Sequence, residues 1–101
     1  MKRRIPIFKL TNLTNPETKP SIQKSLYKQI LNEIQANISS SKDNILIAHV
    51  QDEQEFGGHY YDIILDRKDF KNNLTTILHY HEEQEDYEKC SEIQSIISQL
   101  K

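Results

Sequence analysis

The sequence predicts an α+β domain with a small antiparallel sheet, a long N-terminal helix and a C-terminal helical hairpin, in the order (β)-α-β-β-α-α. Three observations carry this expectation. Apolar residues recur every three or four positions from Ile22 to Ile38 and again from Phe70 to Leu100. Two short runs rich in branched side chains, 45–50 and 60–65, flank the chain's only two glycines, Gly57 and Gly58. The run Glu82-Glu83-Gln84-Glu85-Asp86-Tyr87-Glu88 then splits the second helical stretch in two. A chain of 101 residues makes one domain, 1–101, with a single modest core and little room for a deep cleft.

Residues 1–19 are punctuated by Pro6 and Pro16. Ile5, Ile7 and Phe8 fit a short strand that Pro6 confines to a sheet edge. The same segment fits a flexible basic arm that orders only on contact, and both readings stand. Pro20 suits a first helical turn, with Thr18 as its cap. From there Ile22, Leu26, Tyr27, Ile30, Leu31, Ile34 and Ile38 form one apolar face, and the polar run 39–44 ends the helix.

Residues 45–50 and 60–65 read as two strands of a hairpin. Tyr61, Ile63 and Leu65 share the face expected to point inward, and Tyr60, Asp62, Ile64 and Asp66 share the other. The glycine pair supplies the turn, with an exposed acidic loop containing Asp52, Glu53 and Glu55. Asp66 reads as the cap of the next helix, with Asp69 in its first turn. Phe70, Leu74, Ile77, Leu78 and His81 continue its stripe. After the elbow, Asp86 caps a last helix whose inward positions are Tyr87, Cys90, Ile93, Ile97 and Leu100. The hairpin thus spans 70–101.

Charge is divided along the chain. Thirteen of the fifteen acidic residues lie from Asp43 to Glu92, Glu17 and Glu33 being the exceptions. Residues 1–30 carry Lys2, Arg3, Arg4, Lys9, Lys19, Lys24 and Lys28 against Glu17, a net of +6, which leaves −8 for the remainder of a chain at −2. Such a division favours oriented contact with a charged partner over catalysis. Mean hydropathy is −0.74, and no apolar stretch approaches the ~20 residues of a membrane span. The start Met-Lys-Arg-Arg-Ile-Pro has a basic head with no apolar segment behind it, so no secretory signal is expected. Cys90 is the only cysteine and cannot form an internal disulfide, which fits a reducing, cytoplasmic setting.

Leu74, Ile77 and Leu78, then Glu85-Asp86-Tyr87-Glu88, then Ile93, Ile97 and Leu100, follow a helix–acidic elbow–helix pattern. Over residues 74–100 this resembles the UVR motif, a small helical hairpin of bacterial excision-repair subunits and Clp-associated proteins. Tyr87 stands where that motif has an aromatic wedged between its helices. Cys90-Ser91 replaces a usual pair of alanines, and Gln94-Ser95 replaces a usual Arg-Asp pair. The resemblance implies a protein-docking element without chemistry of its own, acting through the exposed charges near the elbow.

Catalytic and metal constellations are weak. His79 and His81 point about 200° apart on a helix and cannot face one ion. Pairs such as His79 with Glu83 or His81 with Glu85 are ordinary surface contacts. His59 and Cys90 complete no four-ligand set, so no metal site is expected. Cys90 falls on the inferred buried stripe, where a free cysteine behaves as a small hydrophobe. Gly57-Gly58 has neither the spacing nor the Lys-Ser/Thr ending of a phosphate loop, and no nucleophile elbow occurs. The expectation is a non-enzyme with no cofactor.

What remains is binding. Glu82, Glu83, Glu85, Asp86 and Glu88 at the elbow, with Asp52, Glu53 and Glu55 in the loop, are the expected contacts to a basic surface of a partner macromolecule. Such surfaces often hold nucleic acid. The sharper expectation is an inhibitor or regulator of a nucleic-acid-handling complex, as small proteins of phages and mobile elements are. The alternative is a small RNA- or DNA-binding accessory protein that uses Lys2, Arg3, Arg4 and Lys9, with Phe56, Tyr60 and Tyr61 for stacking. A pI near 6.1 argues against that being its primary role.

Overall fold

A computed structural model describes residues 5–53 and 58–100. In chain order the elements are β1 (Ile7–Lys9), α1 (Leu10–Thr14), α2 (Lys19–Asn37), β2 (Asn44–Asp52), β3 (His59–Asp66), a 3-10 turn (Arg67–Asp69), α3 (Phe70–Glu83) and α4 (Tyr87–Gln99). This is the α+β arrangement read from the sequence, with α1 as an extra short helix and α2 as the long one.

The sheet is mixed where an antiparallel one is expected. Its order is β1-β2-β3, with β2 and β3 antiparallel and β1 parallel to β2. The physical reason is the return path. Two helices separate β1 from β2, and a helical crossover brings the chain back in the direction from which it left. Ile7, Phe8 and Lys9 pair with His49, Val50 and Gln51, and the Pro6 carbonyl accepts from the His49 amide at 2.9 Å. Pro6 thus sits at a strand start on a sheet edge, where its missing N–H is harmless.

A bulge explains the unusual burial of β2. Leu46 faces Ile64 but Ala48 faces Ile63, so Ile47 has no opposite residue. The extra residue shifts the inward phase, which lets Ile45, Ile47, Ala48 and Val50 all be buried. α2 covers this strand with Ile30, Leu31 and Ile34. Phe70, Leu74 and Ile77 of α3, with Ile93 and Ile96 of α4, complete the core. Burying each of these aliphatic or aromatic side chains contributes about 1.5–3 kcal/mol.

Several local expectations change. Thr18 does not cap α2: its hydroxyl donates instead to the Asn12 carbonyl at 2.7 Å, fastening α1 to the helix start. Neither Asp66 nor Asp69 makes a side-chain cap. Tyr61, expected inward, is 51% exposed, because the helical layer lies over β2 and leaves most of β3 uncovered. Gly58 adopts φ +72°, the left-handed turn geometry expected of the glycine pair.

Arg67 fastens the 3-10 turn that leads into α3 to the end of α2 and the loop that follows it. Its Nη2 donates to the Asn37 carbonyl at 2.9 Å and to Ser40 Oγ at 3.0 Å, and its Nε donates to the Lys42 carbonyl at 2.6 Å. The guanidinium also lies 5.0 Å from the Phe70 ring centre. A cation here satisfies carbonyls just past the negative end of α2.

Candidate interaction site

The elbow is built from two capping motifs that share a residue. The Glu85 amide donates to the Glu82 carbonyl at 3.0 Å and the Asp86 amide donates to the His81 carbonyl at 3.0 Å, a Schellman closure of α3. Glu85 holds the left-handed position of that motif at φ 58°, where glycine is usual. Asp86 then turns its own side chain forward and accepts from the Lys89 amide at 3.3 Å, capping α4. The chain therefore reverses with no slack between the two helices.

Every residue from Glu82 to Glu88 is exposed. They differ in what they can offer. Glu82 lies 3.0 Å from His79 Nδ1, an i, i+3 pair in place of the i, i+4 pairs considered from sequence. Asp86 is engaged as a cap. The side chains of Glu83, Glu85 and Glu88 make no ion pair or hydrogen bond among the described residues. Glu83 sits at the negative end of α3, where the helix dipole disfavours it by about 0.3–1 kcal/mol, whereas Glu88 is favoured in the first turn of α4.

Tyr87 does not enter the hairpin. It is 69% exposed, a correction to its place on the inward stripe. Because Asp86 caps the helix immediately after the turn, Tyr87 becomes its first residue, beyond the reach of the end of α3. His81 closes the hairpin instead. It is buried, with Nδ1 3.8 Å from Asp86 Oδ2, and Tyr80 beside it packs edge-on against Tyr27 of α2 at 5.1 Å between ring centres. The next inward positions are Cys90, Ile93 and Ile96, the last replacing Ile97, which is half-buried.

The elbow has a basic flank. Lys24 and Lys28 of α2 and Lys89 of α4 line a cavity of about 210 Å³ with Leu31, His81 and Asp86. Burial pushes the His81 pKa below 6.5, Asp86 opposes that shift, and Lys89 and Lys24 reinforce it. Burial also raises the Cys90 thiol, helped by the charges of Glu82 and Asp86. With its Sγ directed at the Leu78 carbonyl 4.0 Å away, this thiol is held protonated rather than poised as a nucleophile.

Among the described residues the loop acids form no second free patch. Glu53 accepts from Thr11 Oγ1 at 3.0 Å and lies 3.7 Å from Lys9 Nζ, so it is tied to the β1–α1 corner. Asp52 is a half-buried strand residue paired with His59. Glu55 lies outside the described residues, as do Phe56 and the arm residues Lys2, Arg3 and Arg4. Of the residues named for nucleic acid, Lys9, Tyr60 and Tyr61 are described: Glu53 faces the Lys9 ammonium, and both tyrosines are exposed on β3. Among the described residues no three His, Cys, Asp or Glu side chains converge as a metal would require. No described helix is long and apolar enough to cross a membrane.

Two polar features escape the sequence patterns. His49 Nδ1 lies 2.7 Å from Asp62 Oδ1 across β2 and β3, and strand alternation places both on the uncovered face once the register is known. Glu33 is buried on the core side of α2, with Gln29 donating to it at 3.2 Å. Its spacing from Ile30 and Asn37 is the signal that it shares their face.

Compared with known proteins, the chain matches no family model, no curated protein and no solved structure. The resemblance of residues 74–100 to the UVR hairpin therefore rests on the helix–elbow–helix arrangement, without the wedged aromatic.

Proposed function

We propose that this chain is a non-catalytic intracellular interaction module or regulator whose acidic elbow docks on a basic surface of a partner macromolecule. The observation that carries the reading is the set Glu83, Glu85 and Glu88, three exposed carboxylates without partners among the described residues, at a turn fixed by back-to-back caps. A rigid, preoriented cluster loses little freedom on binding, so its charge goes into steering and register. Basic surfaces of this kind commonly hold nucleic acid. The sharper form of the proposal is an inhibitor of a nucleic-acid-handling complex, of the sort phages and mobile elements encode.

The test is capture of a partner by the native chain, followed by elution with salt. A variant carrying Glu83→Lys, Glu85→Lys and Glu88→Lys, with an unchanged circular dichroism spectrum, should not retain that partner. Equal retention by the variant would falsify the elbow reading. The nucleic-acid alternative predicts a mobility shift of labelled RNA or DNA by the chain alone, abolished by Arg3→Ala with Arg4→Ala.

A further inference from the structure

β3 is an outer strand of the sheet, and no described strand pairs with its far edge along residues 60–66. Tyr60, Tyr61 and Ile64 are 59%, 51% and 56% exposed, three of the five large exposed apolar side chains among the described residues. They lie on both faces: Tyr61 on the helix side with Ile63 and Leu65, Tyr60 and Ile64 on the open side. Within β3 Leu65 alone is buried. Folded chains usually blunt such an edge with lysine, proline or a bulge in the edge strand. β3 contains neither lysine nor proline, its mid-strand Asp62 lies 2.7 Å from His49 Nδ1 of β2, and the bulge falls in β2. An edge and two faces left uncovered together call for another strand.

We propose that β3 pairs antiparallel with β3 of a second copy of this chain, fusing two sheets into one of six strands. The sequence of the strand favours this occupant because it is self-complementary. Its first half carries the tyrosines and its second half the aliphatic residues, so reversal can set Tyr61 against Leu65, a favourable cross-strand combination. Antiparallel partners must share a face, which limits the two-fold axis to registers centred on a residue. Centring on Asp62 sets two carboxylates opposite each other, and centring on Ile64 sets Asp62 opposite Asp66. Centring on Tyr61 leaves Ile64 and Leu65 unpaired. Centring on Ile63 pairs Tyr61 with Leu65, Tyr60 with Asp66 and Asp62 with Ile64, with no like charges opposed. This register is the one proposed, and it places both helical layers on the same side of the fused sheet.

Light scattering on the full chain should give about twice its 11.9 kDa mass. The register makes position 64 diagnostic, since its side chain is exposed and faces Asp62 of the other copy. Ile64→Glu should shift the chain to a monomer with an unchanged circular dichroism spectrum, whereas Ile64→Lys should remain dimeric. In a Cys90→Ala background, Ile63→Cys on the two-fold axis should cross-link under oxidised glutathione, because opposed Cα atoms lie within disulfide range, and Asp62→Cys should not. A monomer at millimolar concentration overturns the proposal, and so does identical behaviour of the two Ile64 variants or cross-linking at 62 in preference to 63. Reversal of the elbow charges leaves this dimer intact, so the two proposals fail separately.

Discussion

His81 and Asp86 face each other across the elbow, Nδ1 to Oδ2 at 3.8 Å, at the two positions where a Schellman motif ordinarily places a hydrophobic contact. Asp86 thereby serves the end of one helix and the start of the next. His81 fills the gap that Tyr87 leaves by turning outward.

Burial dominates the His81 shift and lowers its pKa below the ordinary 6.5, so the unfolded chain takes up the proton more readily than the folded one. Stability is then full above about pH 6.5 and declines as pH falls below it. Thermal melts from pH 7.5 to 5 should show a falling midpoint, and His81→Gln should flatten that slope. An identical slope in the variant would remove His81 from the account.

At the caps, Asp86→Ala should cost about 1 kcal/mol, the usual loss for an N-cap. Asp86→Asn keeps an acceptor for the Lys89 amide and should retain most of that stability in urea unfolding.

Glu85 occupies left-handed backbone, which costs a non-glycine residue roughly 1–2 kcal/mol. Glu85→Gly relieves this strain while adding freedom to the unfolded chain, so the urea midpoint should hold or rise slightly. Glu85→Val should lower it.

Arg67 makes three side-chain hydrogen bonds, one to the last residue of α2 and two to the segment that follows it. Hydrogen bonds to a charged group are worth roughly 1.5–3 kcal/mol each at most, and truncation removes all three, although the Asn37 carbonyl keeps the Ser40 amide at 3.1 Å. Arg67→Ala should cost about 2–3 kcal/mol in denaturant unfolding. Arg67→Lys should recover less than half, because an ammonium cannot reproduce the guanidinium fork.

Cys90 is 7% exposed and its thiol is held protonated. A disulfide reagent at pH 8 should label it slowly in the folded chain and at once in denaturant. Rapid labelling of the folded chain would show that the hairpin opens.

The helices and strands were legible because their signals are local. The spacing of Ile30, Ile34, Leu74 and Ile77 declares a buried stripe, and Glu85-Asp86 declares a break between helices, whatever the rest of the chain does. The exposed carboxylates of the elbow were readable for the same reason. Tyr87, Tyr61 and Glu53 were not. Whether an aromatic on an apolar stripe is covered depends on where the neighbouring element ends, and whether a carboxylate is free depends on a lysine more than forty residues away.

Periodicity and capping chemistry, written in neighbouring residues, settle which segments are helices, which are strands and where the chain reverses. The parallel pairing of β1, the bulge at Ile47 and the grip of Arg67 on the end of α2 arise between residues distant in the chain. Those contacts come into being once the layers pack, because that packing decides which polar groups lose water and must find partners.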